Sequence, residues 1–433
     1  AAILTLVLLV LWRARPAFDR RAALFDTRLS PGWIAALVAA MVASAWLGLF
    51  AFKHVEYSHE LWWRFELHGE ASRMLRATVG AAVTLLLFAF ARLIGYAAHE
   101  APTPTDADVD AAAAVIATQT ATFPYLVFLR DKAVLFNEDK SGFVMYGVQG
   151  RTWATLGDPV GPPERMGALI RLFLERCDDF GGVPVFYEIS SEHLHHYADV
   201  GLTFVKLGEE ARVDLAAFTL AGSHGRKYRQ ALHRLEREEA VFRIVPAEQA
   251  AGVMDQLRAV SDDWLAGRAG GEKGFSLGFF EPEYIARFPI AVIERGGRVV
   301  AFANLWPGPQ RLELSMDLMR YDHRAPKDVM DALVTHVMLW GKDQGYRWFG
   351  MGMAPLSGFE TSPVAPLWNR LASFLYEHGE TVYKFQGLRA FKEKFDPVWR
   401  PHYLAYPGGL RLARALADIA ALIAGGYRRI FVK

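Results

Sequence analysis

The chain holds a single cysteine, Cys177. An intrachain disulfide and a cysteine-based metal cluster are therefore excluded, and an inert thiol on a helix is the expectation for Cys177. HExxH does not occur, so a zinc-hydrolase helix is unsupported. An excess of one charge is missing too: 48 Lys and Arg face 47 Asp and Glu, a formal net charge of +1. The molecule as a whole is no basic nucleic-acid binder, and any such contact must come from local patches. A glycine-rich loop that opens a helix and lets backbone N–H groups approach pyrophosphate, as acyl-CoA enzymes need, is missing. RYDHRAPK, with no glycine, precedes a helix expected at 327, and GDPVGPPE, whose prolines carry no N–H, precedes one expected at 164. Gly350-x-Gly352 lacks the third glycine of a dinucleotide fingerprint, and His193, His195 and His196 read as a solvated or capping run before a metal site. No cofactor and no metal are expected.

Apolar residues are abundant, 52% of 433. This suits a chain partly embedded in lipid and partly globular. Residues 1–12 are almost wholly apolar but too short to span a bilayer, and read as the end of a truncated helix. The chain opens at Ala1 inside that run, so further membrane sequence before it is expected. Runs at 31–52 and 77–98 reach the ~20 residues a transmembrane helix needs. Ser30-Pro31 suits an N-cap and first helical position, and Arg92 can snorkel from near the end of the second run. The loop 13–30 carries Arg13, Arg15, Arg20, Arg21 and Arg28, against Lys53, Arg64, Arg73 and Arg76 in 53–76. The positive-inside rule then places everything after residue 98 in the cytoplasm, with a linker at 99–110. The expected location is the inner (plasma) membrane, multi-pass, with a cytoplasmic catalytic part.

From 111 onward the pattern is α/β. Strand-like runs at 133–137, 143–149 and 152–157 precede a helix at 164–180, a strand at 183–189, a helix at 191–199 and a strand at 203–207. The order recurs: runs at 290–294 and 298–306 flank Gly296-Gly297, then 311–319 alternates, with a helix at 327–344 and a strand at 347–352. A further helix carrying Trp368, Leu371, Ala372 and Leu375 and the segment 382–406 complete it. A β-meander followed by helix, strand, helix and strand is the order of an N-acetyltransferase-like fold. Two copies are expected, at 111–240 and 241–410, with a C-terminal helix or tail at 411–433.

Glu313, Ser315 and Asp317 share one face of the alternating strand, with Leu312, Leu314, Met316 and Leu318 on the other. The polar row suits an edge strand in solvent or the lining of a cleft. Arg320 and Asp322 follow, and a turn there would bring Arg320 to Asp317. Arg226, Lys227, Arg229 and Arg234 lie in 223–235 with no acid, as a helix face for phosphates of lipid or RNA or an ordinary solvated face would. In 384–400, Lys384, Arg389, Lys392, Lys394 and Arg400 interleave with Phe385, Phe391, Phe395 and Trp399. That pattern suits a nucleic-acid end, a lipid headgroup or an amphipathic element packed on the core.

EKGFSLG (272–278), WGKDQGYRWFGMGMAPLSG (340–358) and GLRAFKEKFDPVWRPHYLAYP (387–407), with SDDWL (261–265) and GDPVG (157–161), resemble the phosphatidylglycerol lysyltransferase family, the multiple peptide resistance factors. The resemblance implies a tandem acyltransferase fold that moves lysine, or less readily alanine, from aminoacyl-tRNA to the glycerol hydroxyl of phosphatidylglycerol in the inner leaflet. Aminoacyl-phosphatidylglycerol lowers the membrane's negative charge, hence resistance to cationic antimicrobial peptides. The family's acid–base pair falls on Asp317 and Arg320, and its FKEKF basic residues on Lys392 and Lys394. Asp317, Arg320 and Lys392 are then the expected catalytic residues. Glu313, Ser315, Lys394, Arg226, Lys227 and Arg229 are expected to bind substrate. The competing readings are an aminoacyltransferase acting on a peptidoglycan precursor and a non-catalytic, membrane-tethered module for tRNA or lipid. Self-association is left open.

Overall fold

The computed structural model describes residues 101–267, 271–359, 385–409 and 411–430, with Arg13, Gly80 and Val83. Apart from Gly80 and Val83, the apolar runs at 31–52 and 77–98 lie outside these residues, as does the helix expected around Trp368 to Leu375. Among the described residues, no helix is long and apolar enough to cross a membrane.

Short apolar runs punctuated by turn chemistry become strands. β1 (Ala133–Phe136), β2 (Phe143–Gln149) and β3 (Thr152–Leu156) form an antiparallel meander. A helix, α2 (Met166–Asp179), then crosses over to β4 (Val183–Ser190), which runs parallel to β3. Ahead of them α1 (Asp106–Ile116) starts within the segment read as a linker: Thr105 and Asp108 cap each other's backbone reciprocally, a signal masked by the surrounding Pro and Asp. After the short helix α3 (Leu194–Ala198) comes β5 (Thr203–Asp214). It runs well past residue 207, the end expected from the sequence; Glu210 and Arg212 are accepted in a strand because His402 and Glu313 pair with them.

The second half begins with α4 (Arg226–Arg237), β6 (Ala240–Val245), α5 (Met254–Ala266) and α6 (Pro282–Ile285). β7 (Ile290–Arg295) and β8 (Arg298–Pro307) are joined through Gly296 and Gly297 at φ 57° and 74°, the left-handed pair that a two-residue hairpin demands. β9 (Glu313–Tyr321) completes this meander, and α7 (Val329–Asp343) crosses over to the parallel strand β10 (Trp348–Pro355). α8 (Phe385–Glu393) and β11 (Val398–Tyr406) occupy the segment 382–406, followed by α9 (Arg411–Ala424) and α10 (Tyr427–Ile430).

All eleven strands form one sheet, in the order β1-β2-β3-β4-β11-β5-β10-β9-β8-β7-β6. Each half supplies a meander and a parallel pair, then sends its last strand to the other. β5 pairs antiparallel with β10, β11 pairs antiparallel with β4, and β5 and β11 pair with each other. The ranges 111–240 and 241–410 thus share a continuous sheet through exchanged strands. Alternation fixes the two faces: Ile290 and Val292 join a core with α1, α5 and α9, whereas Ala291 and Ile293 join one with α4 and α7.

The exchange demands close approach of backbones. A Cβ at Gly208, where β5 meets β10 and β11, would sit 2.3 Å from the Ala354 carbonyl oxygen. Backbone cannot swing aside as a side chain can. Gly208→Ala is therefore expected to destabilise the fold by about 1–3 kcal/mol, as overpacking does, read as a lowered midpoint in denaturant at unchanged slope.

Candidate active site

β9 carries the centre. A regular strand would put Asp317 and Arg320, three residues apart, on opposite faces. Pairing with β8 shifts register: Ala303 faces Met319 but Leu305 faces Met316, so β9 has an extra residue at Asp317–Leu318. The buried Asn304 side chain stabilises this bulge by accepting the Leu318 N–H at 2.8 Å. Arg320 is thereby turned to the face of Asp317, which the alternation alone does not show.

Both residues grip one loop. Asp317 accepts the Gly278 N–H at 2.9 Å and the Tyr284 hydroxyl at 2.6 Å; that hydroxyl in turn accepts Trp306 Nε1 at 3.0 Å. Arg320, 3% exposed, makes a fork to Glu272 at 2.9 and 2.6 Å, donates to Ser261 and lies over the Trp264 ring. Arg320 therefore fixes the loop that presents Gly278 to Asp317. Burial pushes the Asp317 carboxyl up to about 6, although Tyr284, Gly278, Lys132 and Arg320 all pull it down. Lys132 is itself buried, paired with Asp131 at 2.5 Å, and Asp131 accepts the Phe275 N–H of the same loop at 2.8 Å.

A second polar cluster lies where the exchanged strands meet. β10 bulges between Gly350 and Met353, with Gly352 at φ 71°, and β4 bulges at Tyr187–Glu188, with Glu188 at φ 63°. Bulges strand backbone carbonyls, and Lys392 on α8 takes two, donating at 2.8 Å to both Gly352 and Met353. Burial lowers Lys392 to about 7 despite the nearby carboxylates of Glu210 and Glu188. His402 pairs with Glu210 at 3.5 Å and donates from Nδ1 to the Glu188 carbonyl at 3.0 Å. Burial disfavours its charged form, but Glu210 and Glu188 outweigh that and raise it to about 9. Glu210 is lowered, because His402, Arg212 and Lys392 overcome its burial.

Glu313 and Ser315 close this cluster. Thr122 donates to Glu313 at 2.7 Å and lies 2.7 Å from the Ser315 hydroxyl, and Arg212 pairs with Glu313 at 2.6 Å. Burial and then the Glu210 charge raise Glu313. Arg212 Nε is buried with no hydrogen-bond partner among the described residues.

The remaining predicted residues stand elsewhere. Lys394 pairs with Asp331 of α7 at 2.9 Å, half exposed. Arg226 and Lys227 are exposed on α4. Tyr228 of that helix donates to the Lys394 carbonyl at 2.9 Å, so α4 and Lys394 are neighbours. Arg229 turns back to the Leu220 and Gly222 carbonyls and holds the loop before its own helix. Arg389 is stacked on Trp399 and paired with Glu209 and Glu393. Cys177 is buried in α2, where burial raises its thiol. Among the described residues, no three His, Cys, Asp or Glu are grouped to hold a metal ion. Tyr284, Lys132, Glu188, Glu210, Arg212 and His402 carried no spacing signal, since each meets the site from a different element. Glu272 and Gly278 lie within EKGFSLG, but their partners could not be read from it.

With this geometry in view, comparison with known proteins is decisive. The family model described as phosphatidylglycerol lysyltransferase, C-terminal, matches residues 113–406. The chain belongs to that family. The phosphatidylglycerol lysyltransferase of Bacillus subtilis (strain 168) is 40% identical over 300 residues, 69% of this chain and 35% of the relative. That of Staphylococcus aureus (strain MRSA252) is 34% identical over 300 residues, 69% of this chain and 36% of the relative. The chain thus spans about a third of the length of these curated relatives. Among solved structures, L-PGS from Bacillus licheniformis is 38% identical with a TM-score of 0.68, over 76% of this chain and 100% of that one. A C-terminal domain from Agrobacterium fabrum is 43% identical, also with a TM-score of 0.68, over 74% of this chain and 98% of that one.

Proposed function

We propose that this chain transfers an aminoacyl group, lysine in preference to alanine, from aminoacyl-tRNA to the glycerol hydroxyl of phosphatidylglycerol, working with its tandem acyltransferase-type fold at the cytoplasmic face of the membrane. The observation that carries this reading is Asp317, a buried carboxylate poised at about 6 and held by Gly278 and Tyr284, on the bulged strand β9. Exchange of one ester for another needs no external energy source. The chemistry reduces to positioning, proton transfer and stabilisation of the tetrahedral oxyanion.

In this mechanism Asp317 accepts the proton of the attacking hydroxyl. Carbon–oxygen bond formation at the ester carbonyl gives the tetrahedral intermediate. Lys392 has two of its protons engaged by the bulge carbonyls, which leaves one to give to the departing ribose oxygen. Arg212 Nε, which has no partner among the described residues, donates to the oxyanion. Arg320 acts through the loop, and the exposed Arg226 and Lys227 face anionic phosphate.

The rate is expected to follow a bell. It rises as Asp317 ionises through about pH 6 and falls as Lys392 loses its proton through about pH 7. Tyr284→Phe removes a donor that favours the carboxylate, so the acid limb should move to higher pH while the alkaline limb stays. An unmoved acid limb would detach Asp317 from proton transfer. The acceptor is tested by the product: an ester to glycerol is cleaved by mild alkali, whereas an amide to a peptide amine survives. Alkali-stable product would move the reading to a peptidoglycan-type acceptor.

A further inference from the structure

Residues after 406 lie beyond the family match and carry a charge asymmetry that the chain as a whole lacks. Arg411, Arg414, Arg428, Arg429 and Lys433 are opposed there by one acid, Asp418. Asp418 is 0% exposed and is occupied internally: Thr152 and Tyr427 both donate to it, which folds α10 back against α9. Arg414, two-thirds exposed, reaches Asp418 at 3.5 Å, and Arg411, Arg428 and Arg429 have no ion pair among the described residues. The outward face of this corner is cationic, and Tyr427 stands 45% exposed beside the arginine pair.

We propose that the α9–α10 corner is a docking surface for an anionic lipid bilayer. Any polyanion attracts arginine, but the sequence Tyr427-Arg428-Arg429-Ile430-Phe431-Val432-Lys433 interleaves basic with apolar residues. That composition suits the headgroup boundary, where tyrosine settles and basic residues are drawn to an anionic surface. The corner also touches the catalytic loop. The Ile423 carbonyl accepts the Gly274 N–H at 2.9 Å, and Leu422 and Phe275 both close over Gly147. From there the loop runs directly to Glu272 and Gly278, the partners of Arg320 and Asp317. Contact with the bilayer would therefore bear on the loop that shapes the site.

The test uses the full chain in lipid nanodiscs, with a polarity-sensitive dye on Ala420→Cys, an exposed position of α9; buried Cys177 does not compete for label. In discs rich in phosphatidylglycerol the dye should be quenched by nitroxide-bearing lipid, and in phosphatidylcholine discs it should not. Arg428→Glu with Arg429→Glu should reduce quenching to the phosphatidylcholine level at an unchanged melting temperature. The Gln pair, which keeps bulk without reversing charge, should give an intermediate loss. Equal quenching in both lipids, or quenching indifferent to both pairs, would overturn the proposal. So would a dye that responds to added tRNA but not to anionic lipid. Quenching does not depend on transfer, so failure of the proposed activity would leave the docking result readable by itself.

Discussion

Asp317→Asn is expected to lower transfer by about 10²–10⁴-fold, the range lost with a general base, in a protein that still folds. The two halves of this expectation have separate causes. Asparagine cannot take a proton at neutral pH, so the hydroxyl must attack unaided. Stability, by contrast, has little to lose. The Asp317 carboxyl is raised in the folded state, so the fold binds that proton more tightly than the unfolded chain does. Its contribution to stability is therefore greatest below the ordinary carboxylate range and falls as pH rises through about 6. At neutral pH the charge is a burden that asparagine removes. The amide still accepts the Gly278 N–H, while the Tyr284 hydroxyl loses its acceptor, at a cost of about 1 kcal/mol. Melting at pH 7.5 should accordingly be close to that of the unmodified chain. Near-normal transfer would remove Asp317 from the chemistry; a collapsed melt would make it structural.

Gly278→Ala should cost nearly as much without touching an ionisable group. A Cβ there would lie 1.6 Å from Asp317 Oδ2, so either the carboxylate or the loop must move. Bulged β9 holds the carboxylate from behind, and Glu272 and Arg320 hold the loop. A displacement of about 1 Å at a reacting group costs on the order of a hundredfold in rate. The loss should fall on the maximal rate more than on the half-saturating tRNA concentration, because Gly278 and Asp317 are proposed to act on the reacting hydroxyl and not on the donor's phosphates. Steady-state kinetics with charged tRNA measures both. Unaltered turnover would show that the Gly278–Asp317 contact does not position the base.

Much of the fold could be read in the sequence because local pattern and tertiary role agree there. Alternation marks β9, Gly296-Gly297 marks its hairpin, and the spacing of Val329, Leu333 and Val337 marks α7. What could not be read depends on partners distant in sequence. β5 is expected to end at 207, yet it continues through Glu210 and Arg212, with which His402 and Glu313 pair across the sheet. The exchange of β5 and β11 between halves leaves no local trace. In the site, Asp317 and Arg320 stood out as a spaced pair, but the bulge that puts them on one face is made by Asn304, on another strand. Lys392 and Lys394 look equivalent in sequence. One is buried against bulge carbonyls, and the other is tied to Asp331 at the surface.

The most direct measurement is transfer itself. The full chain, in vesicles containing phosphatidylglycerol, is supplied with tRNA charged with labelled lysine and, separately, with labelled alanine. We predict that label enters an alkali-labile lipid, faster from lysyl-tRNA than from alanyl-tRNA, and that Asp317→Asn abolishes it. No label in lipid from either donor, with the protein folded and the tRNA intact, would contradict the account.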